Sequence, residues 1–127
     1  MQFKFDESTP LYQQIATQLE DMIFTGVFGQ GDQIPSTTQL SQQLQINPAT
    51  VLKGMNMLVD KDLVEKHRGR GMFVAAGSQE KIMQARKESF YNDYVKSLLE
   101  EAHKLGINKE HLMELIERGE NDGTITD

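Results

Sequence analysis

The chain has 127 residues, no cysteine, and a formal net charge of −6 from 19 acids against 13 bases. That size suits one compact domain or a small domain with an appendage, not a large enzyme, and the missing thiols exclude a disulfide framework and a thiolate zinc site. No stretch approaches the ~18 uninterrupted apolar residues of a membrane span and MQFKFDESTP lacks an apolar run of signal-peptide length, so a cytoplasmic protein with no membrane partner is expected.

Thr9-Pro10 reads as an N-cap followed by proline at the first helical position, where its missing N–H costs nothing. Leu11, Ile15, Leu19, Met22 and Ile23 then recur at helical spacing among glutamines and acids until Gly26 offers a stop. This predicts an amphipathic helix of about four turns. GQGDQIPS, residues 29–36, is expected to be loop, with one short extended segment at Gln33-Ile34 because a residue preceding proline avoids the helical region.

Ser36 and Gln39 form the S-x-x-Q capping box of a second helix, with Leu40 and Leu44 on its buried side. After Gln45-Ile46, Asn47-Pro48 repeats the cap-then-proline signal, and Val51, Met55, Leu58 and Val59 give a third helix, over 47–61. Leu63 to His67 and Met72 to Val74 are extended in character, and Gly69 and Gly71 permit a turn between them. A β-hairpin over 63–74 follows.

AAGS, residues 75–78, has the composition of a flexible linker. Beyond it a helix is expected over about 80–105, with Phe90, Tyr94, Leu98, Ala102 and Leu105 on one stripe and Tyr91, Val95 and Leu99 on an adjacent one. Asn108 caps a short final helix carrying Leu112, Leu115 and Ile116, and 119–127 reads as a frayed tail. The expected division is 1–76 and 77–127.

Charge is unevenly spread along this plan. Residues 1–78 hold six Lys/Arg against eight Asp/Glu, and 79–127 hold seven against eleven, yet 66–71 contains Lys66, Arg68 and Arg70 with no acid. Phosphate attraction depends on charge within about a Debye length, so such a cluster can act inside an acidic protein.

Helix, helix, tight turn, helix and a basic-tipped hairpin is the plan of a winged helix-turn-helix. The fold class is therefore α+β, mainly α, with a small two-helix C-terminal region. In that plan the third helix enters the major groove of double-stranded DNA with its N-terminus leading, and the hairpin stands beside it as a wing. Lys66, Arg68 and Arg70 then supply phosphate or minor-groove contacts, while Gly69 and Gly71 bring the backbone close. An ordinary solvated turn has the same local composition; the helix-turn-helix pattern ahead of it favours DNA.

Residues 34–74, IPSTTQLSQQLQINPATVLKGMNMLVDKDLVEKHRGRGMFV, carry P-S-x-x-x-L, N-P-x-T-V and R-G-x-G-x-F-V in order. This resembles the DNA-binding domain of the GntR family of bacterial transcription regulators, and PLYQQIATQLEDMIFTG, residues 10–26, resembles that family's first helix. Asn47-Pro48 and the two-helix tail narrow the resemblance to the YtrA-type subfamily. The resemblance implies a dimer, commonly a repressor of operons that include ABC transporters, and two copies related by a two-fold axis would place their third helices on a palindromic operator. By that resemblance Ser36, Thr50, Lys53, Arg68, Arg70 and Gly71 are the DNA-contact or wing positions, and Thr37, Thr38, Asn47, Ala49, Lys66 and Gly69 beside them complete the expected DNA-binding set. Thr38 stands where the family usually has arginine, Gln45 where the turn is often glycine, and Leu52 where a polar residue is common. Leu52 is open to two roles, touching a thymine methyl or packing against its neighbours.

The apolar residues Phe90, Tyr91, Tyr94, Val95, Leu98, Leu99, Leu112, Leu115 and Ile116 are expected to form a dimer interface, since so wide an apolar face needs cover. A small-molecule effector is a possible further partner. No nucleophile motif, phosphate loop or G-x-G-x-x-G is present, so neither an enzyme nor a cofactor is expected. The alternative readings are a winged-helix protein-interaction module without DNA and, more weakly, a metal sensor using His103 and His111, which lack i,i+4 spacing.

Overall fold

The computed structural model describes residues 2–123. Its elements are α1 (Leu11–Phe24), α2 (Thr37–Leu44), α3 (Pro48–Asp60), β1 (Val64–His67), β2 (Gly71–Val74), α4 (Ser78–Phe90), a π-helical turn (Tyr91–Val95), α5 (Lys96–Lys104) and α6 (Lys109–Asn121). The order is the winged helix-turn-helix expected from the sequence. Two compact units result, Met1–Ala85 and Arg86–Asp127.

In the first unit α1 crosses α3, and Ile15, Leu19 and Ile23 of α1 meet Val51, Met55 and Leu58 of α3 in a core completed by Ile34, Leu40, Leu63, Val64, Val74 and Ile82. Leu11 does not join them and stays 40% exposed, one turn ahead of where the core begins. The α1 start differs from expectation as well: Pro10 itself occupies the N-cap, without a side-chain cap, and its carbonyl accepts from the amides of Gln13 and Gln14. The polypeptide before it is bound along α1 by two glutamines. Gln18 exchanges hydrogen bonds with the Lys4 backbone at 2.9 and 2.7 Å, and the buried Gln14 does so with Asp6 and also donates to the Thr9 carbonyl. The Ser8 hydroxyl and then the Ser8 amide, both donating to the Asp6 carboxylate, hold it below its ordinary pKa.

Both halves of the Ser36–Gln39 capping box form at α2, and the Asn47 Oδ1 accepts from the Ala49 amide at 2.8 Å ahead of Pro48. Between α2 and α3, Gln45 takes a left-handed conformation, φ 56°, and the Ser41 hydroxyl donates to the Ile46 carbonyl. Antiparallel β1 and β2 pair Val64 with Val74 and His67 with Gly71. The segment before α2 adds to β2: Gln33 bridges Phe73, the Ile34 amide donates to the Met72 carbonyl, and the Val74 amide donates to Asp32.

Residues 75–78 are not the flexible linker their composition suggests. Ala75 and Ser78 are buried, and the Ser78 hydroxyl reaches the carbonyl oxygens of Leu63 and Ala75, each at 2.7 Å. Gly77 supplies the positive φ of this turn, and Gln79 and Lys81 donate to the carbonyls of Phe24 and Asp62. With Ile82 in the core, the first turns of α4 belong to the winged unit, so the compact boundary falls at Ala85/Arg86 rather than 76/77.

The helix expected over 80–105 forms from Ser78 to Lys104 and contains a π-helical turn at Tyr91–Val95. The π turn shifts the phase of the apolar stripe by one residue, about 100°, so the two stripes do not run straight. Phe90 and Tyr94 have ring centroids 5.5 Å apart. Gly106 (φ 69°) closes α5, the Ile107 amide donates to Ala102, and Asn108 caps α6 through the His111 amide. Helix α6 runs to Asn121, so 119–121 is helical rather than frayed; 124–127 lies outside the described residues.

Candidate nucleic-acid interface

Two local features build the interface on the first unit. One is the exposed start of α3, set by the Asn47 cap and by Pro48 at a position needing no N–H. The other is the hairpin tip, where Arg68, Gly69 and Arg70 connect the strands and the Arg70 amide donates to the His67 carbonyl at 2.8 Å. Gly69 has φ 75° and Gly71 φ 123°, both in the region that side chains disfavour.

Charge sorts onto these features. From Gln33 to Val59 the chain contains no acid, and its one charged residue is Lys53. Together with the acid-free 66–71, this leaves α2, the first three turns of α3 and the hairpin tip free of negative side chains. The net charge of −6 is carried elsewhere, so a local cluster of cations is compatible with an acidic chain.

The structure positions the individual residues unequally. Ser36, Thr38, Asn47, Ala49, Lys53, Lys66, Arg68, Gly69 and Arg70 are exposed, and Thr50 and Gly71 half-buried. Thr37 is turned inward, its hydroxyl 3.5 Å from the sulfur of Met55, which sets it apart from the other cap-region hydroxyls. Leu52 is 38% exposed beside Lys53 rather than sealed in the core. The Lys53 Nζ lies 4.0 Å from the centroid of the Tyr12 ring on α1, and the Arg70 guanidinium lies 5.4 Å from that of Phe73. His67 is edge-on to the same Phe73 and 3.1 Å from the Glu65 carboxylate.

Three residues here escaped sequence reasoning. Tyr12 sits under Lys53; Gln33 donates from its side chain to the Arg70 carbonyl at 2.9 Å; Gly54 lets α1 approach α3, since a Cβ there would meet the Tyr12 carbonyl oxygen at 2.7 Å. A glycine inside an otherwise helical pattern was the one available signal.

The second unit exposes Phe90, Tyr91, Tyr94, Leu98, Leu99 and Ile116, with Tyr94 at 66%. Val95 and Leu115 are half-buried. Leu112 is a correction to the expected interface set: at 9% exposure it is covered by its own chain. Among the described residues no three His, Asp or Glu gather as a group that could hold a metal ion. Among them, too, no helix is long and apolar enough to cross a membrane.

Comparison with known proteins places these features in context. A family model described as bacterial regulatory proteins, gntR family, matches residues 11–74, from the first residue of α1 to the last of β2. The HTH-type transcriptional repressor YtrA of Bacillus subtilis (strain 168) is 31% identical over 109 residues, covering 86% of this chain and 83% of that protein. A GntR family transcriptional regulator from Listeria monocytogenes superposes with a TM-score of 0.70 at 26% identity, over 90% of this chain and 98% of that one. The DNA-binding domain of AraR, solved in complex with operator ORE1, matches 59% of this chain and 94% of its own length, with a TM-score of 0.52 at 27% identity.

Proposed function

We propose that this chain, which belongs to the GntR family of bacterial regulatory proteins, is a sequence-specific DNA-binding transcriptional repressor that acts in the cytoplasm as a homodimer. Helix α3, with its Asn47 cap, lies in the major groove, and the β1–β2 hairpin is the wing. The observation that carries this reading is that α2, the start of α3 and the Lys66, Arg68 and Arg70 tip all lack acids and all have exposed residues. The operator complex of the similar AraR domain and the repressor relative from Bacillus subtilis support it.

In this reading Ser36, Thr38, Asn47 and the wing cations orient the protein on phosphates, while Ala49, Thr50, Lys53 and Leu52 face base edges. The region 77–127 supplies the dimer contact. Apolar residues as exposed as Phe90, Tyr94 and Leu98 need cover, and a two-fold partner provides it. Two such protomers present their α3 helices to a palindromic operator about 34 Å apart, or a multiple of that spacing. A small effector that changes how the tails pair would release the operator.

The test is fluorescence anisotropy of the purified protein on a duplex from its own upstream region, across a salt series. Replacing both Arg68 and Arg70 with alanine is expected to weaken binding to all sequences and to reduce the logarithmic salt slope by about two units, near 0.9 per lost phosphate contact. Absence of salt-sensitive binding by the unaltered protein would return the chain to the protein-interaction reading.

A further inference from the structure

We propose that Gln33 is a positioning residue for the wing, acting through the Arg70 carbonyl to hold the arginine-bearing tip in register with the helix pair. This rests on the DNA-binding reading above and assigns a residue that neither contacts nor spacing in the sequence would single out.

A two-stranded hairpin is marginally ordered by itself. Here its base is reinforced by the segment before α2, through Gly31 to Val74, Val74 to Asp32 and Ile34 to Met72, at 2.9 to 3.0 Å. Those bonds stop at Met72, short of the tip. From Gln33 the side chain spans the gap: its Nε2 donates to the Arg70 carbonyl at 2.9 Å, across 37 positions of sequence.

Gly71 is shaped to this contact. A Cβ at 71 would stand 2.5 Å from the Gln33 Nε2, so glycine there provides room for the amide as well as the positive φ. Three residues after Gln33, Ser36 begins α2 through its capping box. The amide thus links the peptide that carries Arg70, and follows Arg68, to a rigid lead-in to the helix-turn-helix. Without it the tip keeps its charge but samples more orientations, and each phosphate contact then costs ordering entropy on binding.

The test uses Gln33→Met, which keeps the length of the stem but has no donor, in two measurements. In the DNA-free protein, backbone amide exchange at residues 68–71 is expected to rise roughly 3- to 10-fold, the ordinary worth of one such bond, with exchange in α1 and α3 unchanged. On the operator duplex, affinity is expected to fall by a similar factor, and the same substitution made on top of R68A/R70A is expected to have no further effect. Unchanged tip exchange would overturn the proposal whether or not the chain binds DNA. Additive losses in the combined variant would also overturn it, because Gln33 would then touch DNA itself. If the unaltered protein fails to bind while tip exchange rises, the failure lies with the DNA-binding reading and with the wing's purpose, not with the Gln33 contact.

Discussion

The Lys53 ammonium stands 4.0 Å from the centre of the Tyr12 ring, joining the one cation of α3 to a side chain 41 positions earlier on α1. A long lysine has several rotamers, and an aromatic face under its head selects among them. Tyr12 therefore restrains the Lys53 head over its ring, in the middle of the proposed recognition helix.

Tyr12→Leu is expected to lower operator affinity about 2- to 5-fold, the usual worth of an exposed cation–π contact, while Tyr12→Phe retains most of it. Anisotropy titrations of the two variants decide the matter. Equal losses from both would assign the effect to the hydroxyl and not to the ring face.

Gly54 concerns stability. Alanine favours helix by about 1 kcal/mol over glycine, but its methyl would lie 2.7 Å from the Tyr12 carbonyl oxygen and 3.1 Å from Ile15 Cγ2. Backbone cannot yield as a side-chain tip does, so overpacking wins: Gly54→Ala is expected to destabilise the protein by about 1 to 3 kcal/mol. Urea unfolding monitored by circular dichroism measures it, and a stabilised variant would mean the two helices separate freely.

Gln45 carries the opposite expectation. Its φ of 56° lies in the left-handed region at the end of α2, where a side chain costs roughly 1 kcal/mol relative to glycine. Gln45→Gly is expected to raise the urea midpoint by an amount equivalent to about 0.5 to 1 kcal/mol, less than the full strain because glycine also loosens the unfolded chain. A lowered midpoint would show that the Gln45 side chain contributes more than its backbone strain removes.

The exposed aromatic face of the second unit is tested by charge. Tyr94, the most exposed of its rings, is changed to glutamate, and sedimentation velocity is expected to report a shift from dimer toward monomer. Operator affinity then falls because each protomer binds a half-site alone. An unaltered sedimentation coefficient would remove that face from the proposed dimer.

What the sequence determined by itself was local. The Ser36–Gln39 box, the Asn47-Pro48 start of α3, the Gly106 stop and the glycines of the hairpin each act within four residues, so chain order alone reveals them. The apolar spacing of Ile15, Leu19 and Ile23 and of Val51, Met55 and Leu58 likewise shows which faces turn inward. Only the tertiary structure decided that AAGS is a fastened turn, because its partners, Leu63 and the Ile82 core, lie outside it. The same holds for Tyr12 beneath Lys53, Gln33 at Arg70 and Gly54 against Tyr12. Each joins groups tens of residues apart, and a contact made by folding leaves no periodicity at either end.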